Sequence, residues 1–156
     1  MQTNNLKTCS VIMYKPTLLK GGTFSDERGT LLFVNEFDLS PIKRMYSIIH
    51  TDKSIVRAWQ GHQQESKWFK CIKGSFAVAW KMIDDFSNPS PLPHPEHVIL
   101  KSTEPAILFI PPGYANGLKA LENNSEIMVF SDYYLGESLD DKIRFDQNLW
   151  LDWEHF

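Results

Sequence analysis

The sequence predicts an all-β fold, a short-stranded antiparallel barrel or jelly roll. Its apolar segments are short, rich in aromatic and β-branched residues, and bounded by Gly, Pro, Asn or Asp. At 156 residues the chain is long enough to bury a core, and we expect a single domain over residues 1–156. A barrel of this kind closes its own edges and leaves an interior that can hold a ligand.

The predicted strands are joined by short polar connections. In chain order they cover residues 29–37, 44–50, 68–72, 76–83, 97–101, 106–110 and 126–132. Segments 68–72 and 76–83 flank Lys73 and Gly74, which predicts a β-hairpin because glycine readily adopts a positive φ. In the second arm, alternate residues from Phe76 to Met82 share one face at the two-residue period of a strand.

Two segments are not predicted as strands. Residues 88–97 (NPSPLPHPEH) contain four prolines, which cannot lie in a central strand, and they form a surface loop or a flap over the barrel mouth. After Tyr134 the chain becomes polar, and ESLDDKIRF is expected to form a helical turn before the closing WLDWEHF.

Composition excludes several classes of function. The net charge of −3 argues against nucleic-acid binding, which needs a basic surface. Cys9 and Cys71 form no ligand-spaced set, so reduced thiols are expected. No segment reaches the length of a membrane-spanning helix, and the start MQTNNLKTCS lacks an apolar leader region, so we expect a cytoplasmic protein with no membrane partner.

Two segments carry most of the chemistry: VRAWQGHQQESKWFKCIKGS, residues 56–75, and IPPGYANG, residues 110–117. They resemble the signature segments of metal-binding cupin barrels, His-x-His followed by Glu and Gly, and then Pro-x-Gly-x-x-His. Here Gln60 takes the first His position, His62 keeps the second, Lys67 replaces the Glu, and Asn116 replaces the last His. Since an ammonium group has no lone pair for a cation, we expect no metal, no other cofactor, and an organic ligand.

Further segments extend the resemblance from about residue 22 to residue 153. They are GGTFSDERGTLLFVNEF, VRAWQGH, KWFKCIKGS, PPGYANGL, SDYYLGES and RFDQNLWLDWE. In this order they resemble the dTDP-4-dehydrorhamnose 3,5-epimerases and the dTDP-sugar 3,4-ketoisomerases. The resemblance implies a cupin-type antiparallel jelly-roll barrel, a homodimer, and a metal-independent isomerase or epimerase. Its partner would be a nucleoside-diphosphate 4-keto-6-deoxy sugar of polysaccharide biosynthesis.

The resemblance also implies catalytic roles. His62 is the candidate general base, because an imidazole exchanges protons near neutral pH. Tyr134 matches the family's acid, although its neighbour Tyr133 points to the opposite side of a strand. Lys67 would stabilise an enolate oxygen, and Asp146 would orient the base.

Binding roles follow in the same way. Arg28 and Arg57 match arginines that hold the diphosphate, although Arg28 could instead pair with Asp26 or Glu27. Gln60 and Asn116 would bond sugar hydroxyl groups, and Trp59 could stack on a sugar or base. The other tryptophans are expected in the core.

Gln60 separates the remaining alternatives. In the 3,5-epimerases its position holds the histidine that acts as base, and an amide cannot remove a proton from carbon. The sequence therefore argues against double 3,5-epimerisation. It leaves open an isomerase or epimerase that uses His62, and a non-catalytic cupin that binds a sugar or sugar nucleotide.

Overall fold

A computed structural model describes residues 14–156, so Cys9 and the start of the chain lie outside the described residues. The structure is built from antiparallel strands with two short helices. In chain order the elements are β1 Thr17–Lys20, β2 Gly22–Asp26, β3 Gly29–Phe33, β4 Arg44–His50, β5 Val56–His62, β6 Lys67–Lys73, β7 Ser75–Met82, β8 Glu96–Lys101, β9 Ala106–Ile110, β10 Tyr114–Ala120, β11 Ser125–Ser131, α1 Leu135–Asp141, β12 Lys142–Arg144 and a 3₁₀ helix Trp153–His155.

The strands form two five-stranded sheets, ordered β1-β9-β6-β11-β4 and β12-β5-β10-β7-β8, and a ribbon of β2 and β3. Both sheets supply the main core: Phe69 and Val129 come from the first sheet, and Val78 and Leu118 from the second. The two sheets therefore pack face to face around a shared interior. This confirms the predicted cupin-type jelly roll.

The predicted hairpin at Lys73 and Gly74 is wrong. β6 and β7 lie in different sheets, so the turn carries the chain across the sandwich instead of pairing its two arms. Gly74 has a φ of +69°, and a Cβ there would lie 2.2 Å from Ser125 Oγ. Glycine is needed for the reason predicted, but the turn it makes is a crossover between sheets.

Most predicted strands are confirmed: β4 and β9 have the predicted ends, and the others are shifted by a few residues. The segment 29–37 stops early, because β3 ends at Phe33 and the following turn brings Phe37 against Trp68. Five strands were not predicted: the short strands β1, β2 and β12, and the seven-residue strands β5 and β10. The proline-rich segment 88–97 is a surface loop up to Glu96, where β8 begins, and its Leu92 carbonyl accepts a hydrogen bond from Lys81 Nζ at 3.2 Å.

The predicted helical turn in ESLDDKIRF is wrong for residues 142–144, which form β12, and is confirmed for residues 137–141, which belong to α1. Its end leads directly into β12, which pairs with β5 and places the polar C-terminal part of the chain beside the VRAWQGH strand. The last residues cover the outer face of the second sheet, where Trp150 and Trp153 pack against Trp59. Neither helix of residues 14–156 has the length and apolarity needed to cross a membrane. The homodimer remains a prediction.

Candidate active site

Strand register brings polar residues together on the inner face of the second sheet. Arg144 pairs with Gln60, Gln60 with Asn116, and Asn116 with Trp80. Directly paired residues project to the same face of a sheet, and Trp80 packs against the main core. The four side chains therefore form one row that faces the interior.

A second inner row lies two residues further along each strand, towards one end of the barrel. It contains Lys142, His62 and Tyr114, again as successive cross-strand partners. Near the opposite end of β5, Arg57 pairs with Leu118, a core residue, but the Arg57 side chain is itself exposed.

The facing sheet contributes a row of its own. Arg44 pairs with Ser131, Ser131 with Lys67, and Lys67 with Ile110. Tyr46, two residues along β4 from Arg44, packs against the core. Its hydroxyl lies 3.4 Å from Lys67 Nζ, and the Arg44 guanidinium lies 4.9 Å from the centre of its ring.

A buried carboxylate, Glu65, joins the two sheets at this end of the barrel. Arg44 Nη2 lies 3.1 Å from its Oε1, and Ser131 Oγ donates to the same oxygen at 2.6 Å. Ser138 Oγ, from α1, donates to Oε2 at 2.7 Å. His62 Nδ1 also lies 2.9 Å from Oε2, and its side chain is almost fully buried.

These contacts decide the charge of the buried groups. Burial opposes ionisation of Glu65, but His62, Lys67 and Ser131 outweigh it and lower the pKa of Glu65 to about 2. Burial lowers the pKa of Lys67 to about 8, although Glu65 acts in the opposite direction. Burial also raises the pKa of Tyr46. The cluster therefore combines an ionised carboxylate with a lysine whose proton is unusually easy to remove.

His62, Glu65 and Asp141 have ligand atoms within 4.8 Å of one another, as in some metal sites. Their surroundings do not fit a divalent cation. Glu65 already neutralises Arg44 and lies 3.9 Å from Lys67 Nζ. Asp141 accepts hydrogen bonds from the backbone N–H groups of residues 63–65, which occupy both of its oxygens. A further cation would have to displace these donors and lie beside two positive charges.

The structure brings five of the predicted site residues onto the interior walls: His62, Lys67, Gln60, Asn116 and Arg57. Asn116 Nδ2 also donates to the Gln60 carbonyl oxygen at 3.2 Å, which ties β10 to β5 at this level. The motif segments VRAWQGH and PPGYANGL therefore meet on neighbouring strands.

Two predicted aromatic positions lie elsewhere. Trp59 is fully buried on the other face of β5, against Trp153, because adjacent residues of a strand point to opposite faces. Tyr134 is 61% exposed at the start of α1, because β11 ends at Ser131. The interior tyrosines are instead Tyr46 and Tyr114.

Asp146 and Arg28 are also placed away from the cluster. Asp146 is exposed and accepts a hydrogen bond from the backbone N–H of Asn148 at 2.8 Å. The carboxylates within 4.0 Å of His62 in the described chain are Glu65 and Asp141. Arg28 pairs with Asp26 in the β2–β3 ribbon, which is the alternative that the sequence left open.

Sequence reasoning missed Arg44, Tyr46 and Glu65. The first two could have been found, because they alternate along a correctly predicted strand and therefore share its inner face. Glu65 lies in a loop, where no periodic pattern indicates the direction of a side chain.

Residues 14–149 match the family described as FdtA: WxcM-like, C-terminal. The chain belongs to this family. No curated protein is similar enough to the chain to count as a match. Many solved structures resemble this FdtA-family chain, and their names fall into two groups.

The first group consists of 3,4-ketoisomerases. A histidine-to-asparagine mutant of the 3,4-ketoisomerase QdtA from Thermoanaerobacterium thermosaccharolyticum, in complex with TDP-4-keto-6-deoxyglucose, is 24% identical with a TM-score of 0.65, over 86% of this chain and 90% of that chain. The TDP-quinovose 3,4-ketoisomerase WlaRB from Campylobacter jejuni is 20% identical with a TM-score of 0.64, over 88% and 98%.

The second group consists of epimerases. The rmlC epimerase of Mycobacterium tuberculosis is 16% identical with a TM-score of 0.71, over 92% of this chain and 76% of that chain. At these identities the likeness establishes the fold that the chain shares with both groups.

Proposed function

We propose that this FdtA-family chain is an isomerase or epimerase of a nucleoside-diphosphate 4-keto-6-deoxy sugar. The observation that carries the proposal is the interior cluster, in which His62 and Lys67 project from facing sheets beside a buried carboxylate. The ligand of the QdtA mutant, TDP-4-keto-6-deoxyglucose, supports this choice of substrate class.

The reaction requires a base and a stabilised oxygen. A keto group acidifies the neighbouring C–H, so His62 removes that proton and the C–H electron pair becomes the C=C bond of an enediolate. The carbonyl oxygen takes the negative charge, which the Lys67 ammonium stabilises. Delivery of a proton to the same carbon from the other face, by a second acid or by solvent, gives an epimer. Transfer of the proton from His62 to the former carbonyl carbon, while the hydroxyl proton of the neighbouring carbon passes to the former carbonyl oxygen, gives the isomeric ketone.

The remaining polar residues suit the rest of such a ligand. Arg57 and Arg144 lie at the exposed part of the inner wall, where their planar guanidinium groups could bind the diphosphate. Gln60, half-buried, and Asn116, buried, continue the row of Arg144 and lie next to the row of His62, and their amides can bond sugar hydroxyls. No step requires a metal ion.

A second candidate is a non-catalytic cupin that binds a sugar nucleotide. It is favoured by Gln60, which stands where the resembling epimerases have their base. The two candidates differ in one observable, the exchange of carbon-bound protons with solvent.

The deciding experiment is proton NMR of dTDP-4-keto-6-deoxyglucose with the purified protein in D₂O. Loss of the C3–H signal alone identifies a 3-epimerase or a 3,4-ketoisomerase. No exchange, together with saturation transfer from protein to ligand, supports the binding protein. His62→Asn should abolish exchange with the fold intact. His97→Asn, which removes an exposed imidazole from the outer side of β8, is the matched control and should exchange normally.

A further inference from the structure

The loop that follows β5 places the carboxylate of Glu65 beside the imidazole ring of His62. β5 ends at His62, and the next backbone N–H groups, of residues 63–65, all donate to the carboxylate of Asp141 at 2.9 to 3.2 Å. This anchoring fixes the loop against α1. It leaves Glu65 Oε2 at 2.9 Å from His62 Nδ1.

Glu65 does not depend on His62 for its own position. Arg44 and Lys67 approach its Oε1, and the hydroxyls of Ser131 and Ser138 donate to its two oxygens. The carboxylate is therefore a rigid, ionised acceptor placed at one nitrogen of a buried imidazole. The direction of the Nδ1–H bond does not meet the geometric criteria for a hydrogen bond to Glu65 Oε2. The two groups are therefore within ion-pair distance without a hydrogen bond between them.

The second ring nitrogen of His62 has no partner. Nε2 is buried and makes no hydrogen bond within residues 14–156, while the side chain lies in the row that faces the interior. A buried lone pair without a protein donor is costly, and an incoming ligand that uses it removes the cost.

We propose that Glu65 is the positioning residue of His62: it holds the proton on Nδ1 and so leaves the Nε2 lone pair free to act as the base. This inference rests on the proposed function. It explains how a chain with Gln60 at the first histidine position retains an oriented imidazole, since the carboxylate partner lies three residues beyond His62 in the loop.

Other charged groups face the same ring. Asp141 Oδ2 lies 3.6 Å from Nδ1, on the same side as Glu65, and its oxygens already accept three backbone N–H groups. Lys142 and Tyr114 are the cross-strand partners of His62, and Lys67 and Arg44 lie beyond Glu65. Both carboxylates thus favour a proton on Nδ1.

Glu65→Gln should move the ring proton of His62 from Nδ1 to Nε2. Arg44 and Lys67 are obligate donors, so the amide oxygen of the new side chain should take the Oε1 position beside them. Its NH₂ group then takes the Oε2 position, where the Ser138 hydroxyl can rotate to accept. This NH₂ group would donate to His62 Nδ1 and force the ring proton onto Nε2, which can no longer act as a base.

The test is long-range ¹H–¹⁵N NMR of the imidazole rings. The signals of His62 are assigned as those missing from the spectrum of His62→Asn. In the wild-type protein we expect the neutral form of the His62 ring to carry its proton on Nδ1. A proton on Nε2 of the neutral ring would overturn the proposal. This measurement needs no Glu65 variant and decides the question even if Glu65→Gln does not fold.

In folded Glu65→Gln we expect the Nε2–H tautomer and a kcat lower by about 10²-fold or more, with KM little changed. An unchanged tautomer would refute the positioning role. Ile127→Val, in the core away from the cluster, controls for lost stability and should keep both tautomer and kcat.

The two proposals fail separately. The Nδ1–H tautomer without any carbon-proton exchange would refute the proposed function and leave the pairing of Glu65 with His62 standing. Carbon-proton exchange in a protein whose His62 is the Nε2–H tautomer would support the proposed function and refute the positioning role of Glu65.

Discussion

The ionised state of Glu65 should make the stability of this protein depend on pH in the acid range. Glu65 is buried, and its pKa falls from an ordinary 4.5 to about 2 because His62, Lys67 and Ser131 together outweigh the effect of burial. A carboxyl group whose pKa is lowered by folding stabilises the folded state above its unfolded pKa. That stabilisation is lost as the pH falls through the folded pKa.

The magnitude follows from the shift. A change from 4.5 to about 2 corresponds to roughly 3 to 4 kcal/mol at about 1.4 kcal/mol per pKa unit. The full contribution is present above about pH 5 and most of it is lost by about pH 2.5. Glu65→Gln cannot titrate, so the difference in unfolding free energy between the two proteins should shrink by about 3 kcal/mol across this interval.

Urea denaturation of wild-type protein and Glu65→Gln at several pH values from about 7 to 2.5 measures this difference. Using the difference removes the contributions of other carboxyl groups, which both proteins share. Parallel stability curves would refute the reasoning, because they would mean that Glu65 has the same pKa folded and unfolded. A difference that grows as the pH falls would mean that Glu65 is protonated in the native state.

Three other changes have defined outcomes. Burial lowers the pKa of Lys67 to about 8, so its charged form destabilises the folded state below that pH. As the pH rises from 8 towards 10.5, the unfolding free energy of the wild-type protein should therefore increase by about 3 kcal/mol relative to that of Lys67→Met. Urea denaturation that shows no such increase would contradict the burial of the Lys67 charge. Trp59→Ala should lower the unfolding free energy by about 3 to 5 kcal/mol through the cavity it leaves, and a raised KM at unchanged Tm would instead support stacking on substrate. Arg57→Ala should weaken nucleotide-sugar binding about 10- to 100-fold by calorimetry, whereas an unchanged Kd would remove it from the diphosphate site.

Much of the candidate site could be predicted because strand residues alternate. Gln60 and His62 are two positions apart in one strand, and the alternation that puts them on the inner face sends Trp59 to the outer face. Had residues 56–62 been predicted as a strand, this rule would have excluded Trp59 from the binding residues on sequence grounds. The same rule, applied to the strand beginning at Arg44, adds Arg44 and Tyr46.

The carboxylate partner of the imidazole could not be predicted in this way. The resemblance indicated Asp146, which in the structure bonds the backbone of Asn148. Glu65 takes its position from a loop held by Asp141, and Asp141 is 76 residues further along the chain. A loop side chain is directed by such long-range contacts, and these have no signature in a local sequence pattern.

Local sequence was sufficient for the jelly-roll class, most strand positions and the segments that meet in the interior, because these follow from periodicity and from motifs in a fixed order. The packed fold alone established that β6 and β7 enter different sheets, that Arg44 and Ser138 converge on Glu65, and that this carboxylate faces His62. Strand periodicity is a property of neighbouring residues. Sheet partnership and the pairing of buried charges depend on groups that approach one another only when the whole chain has packed, and their energies come from that packing.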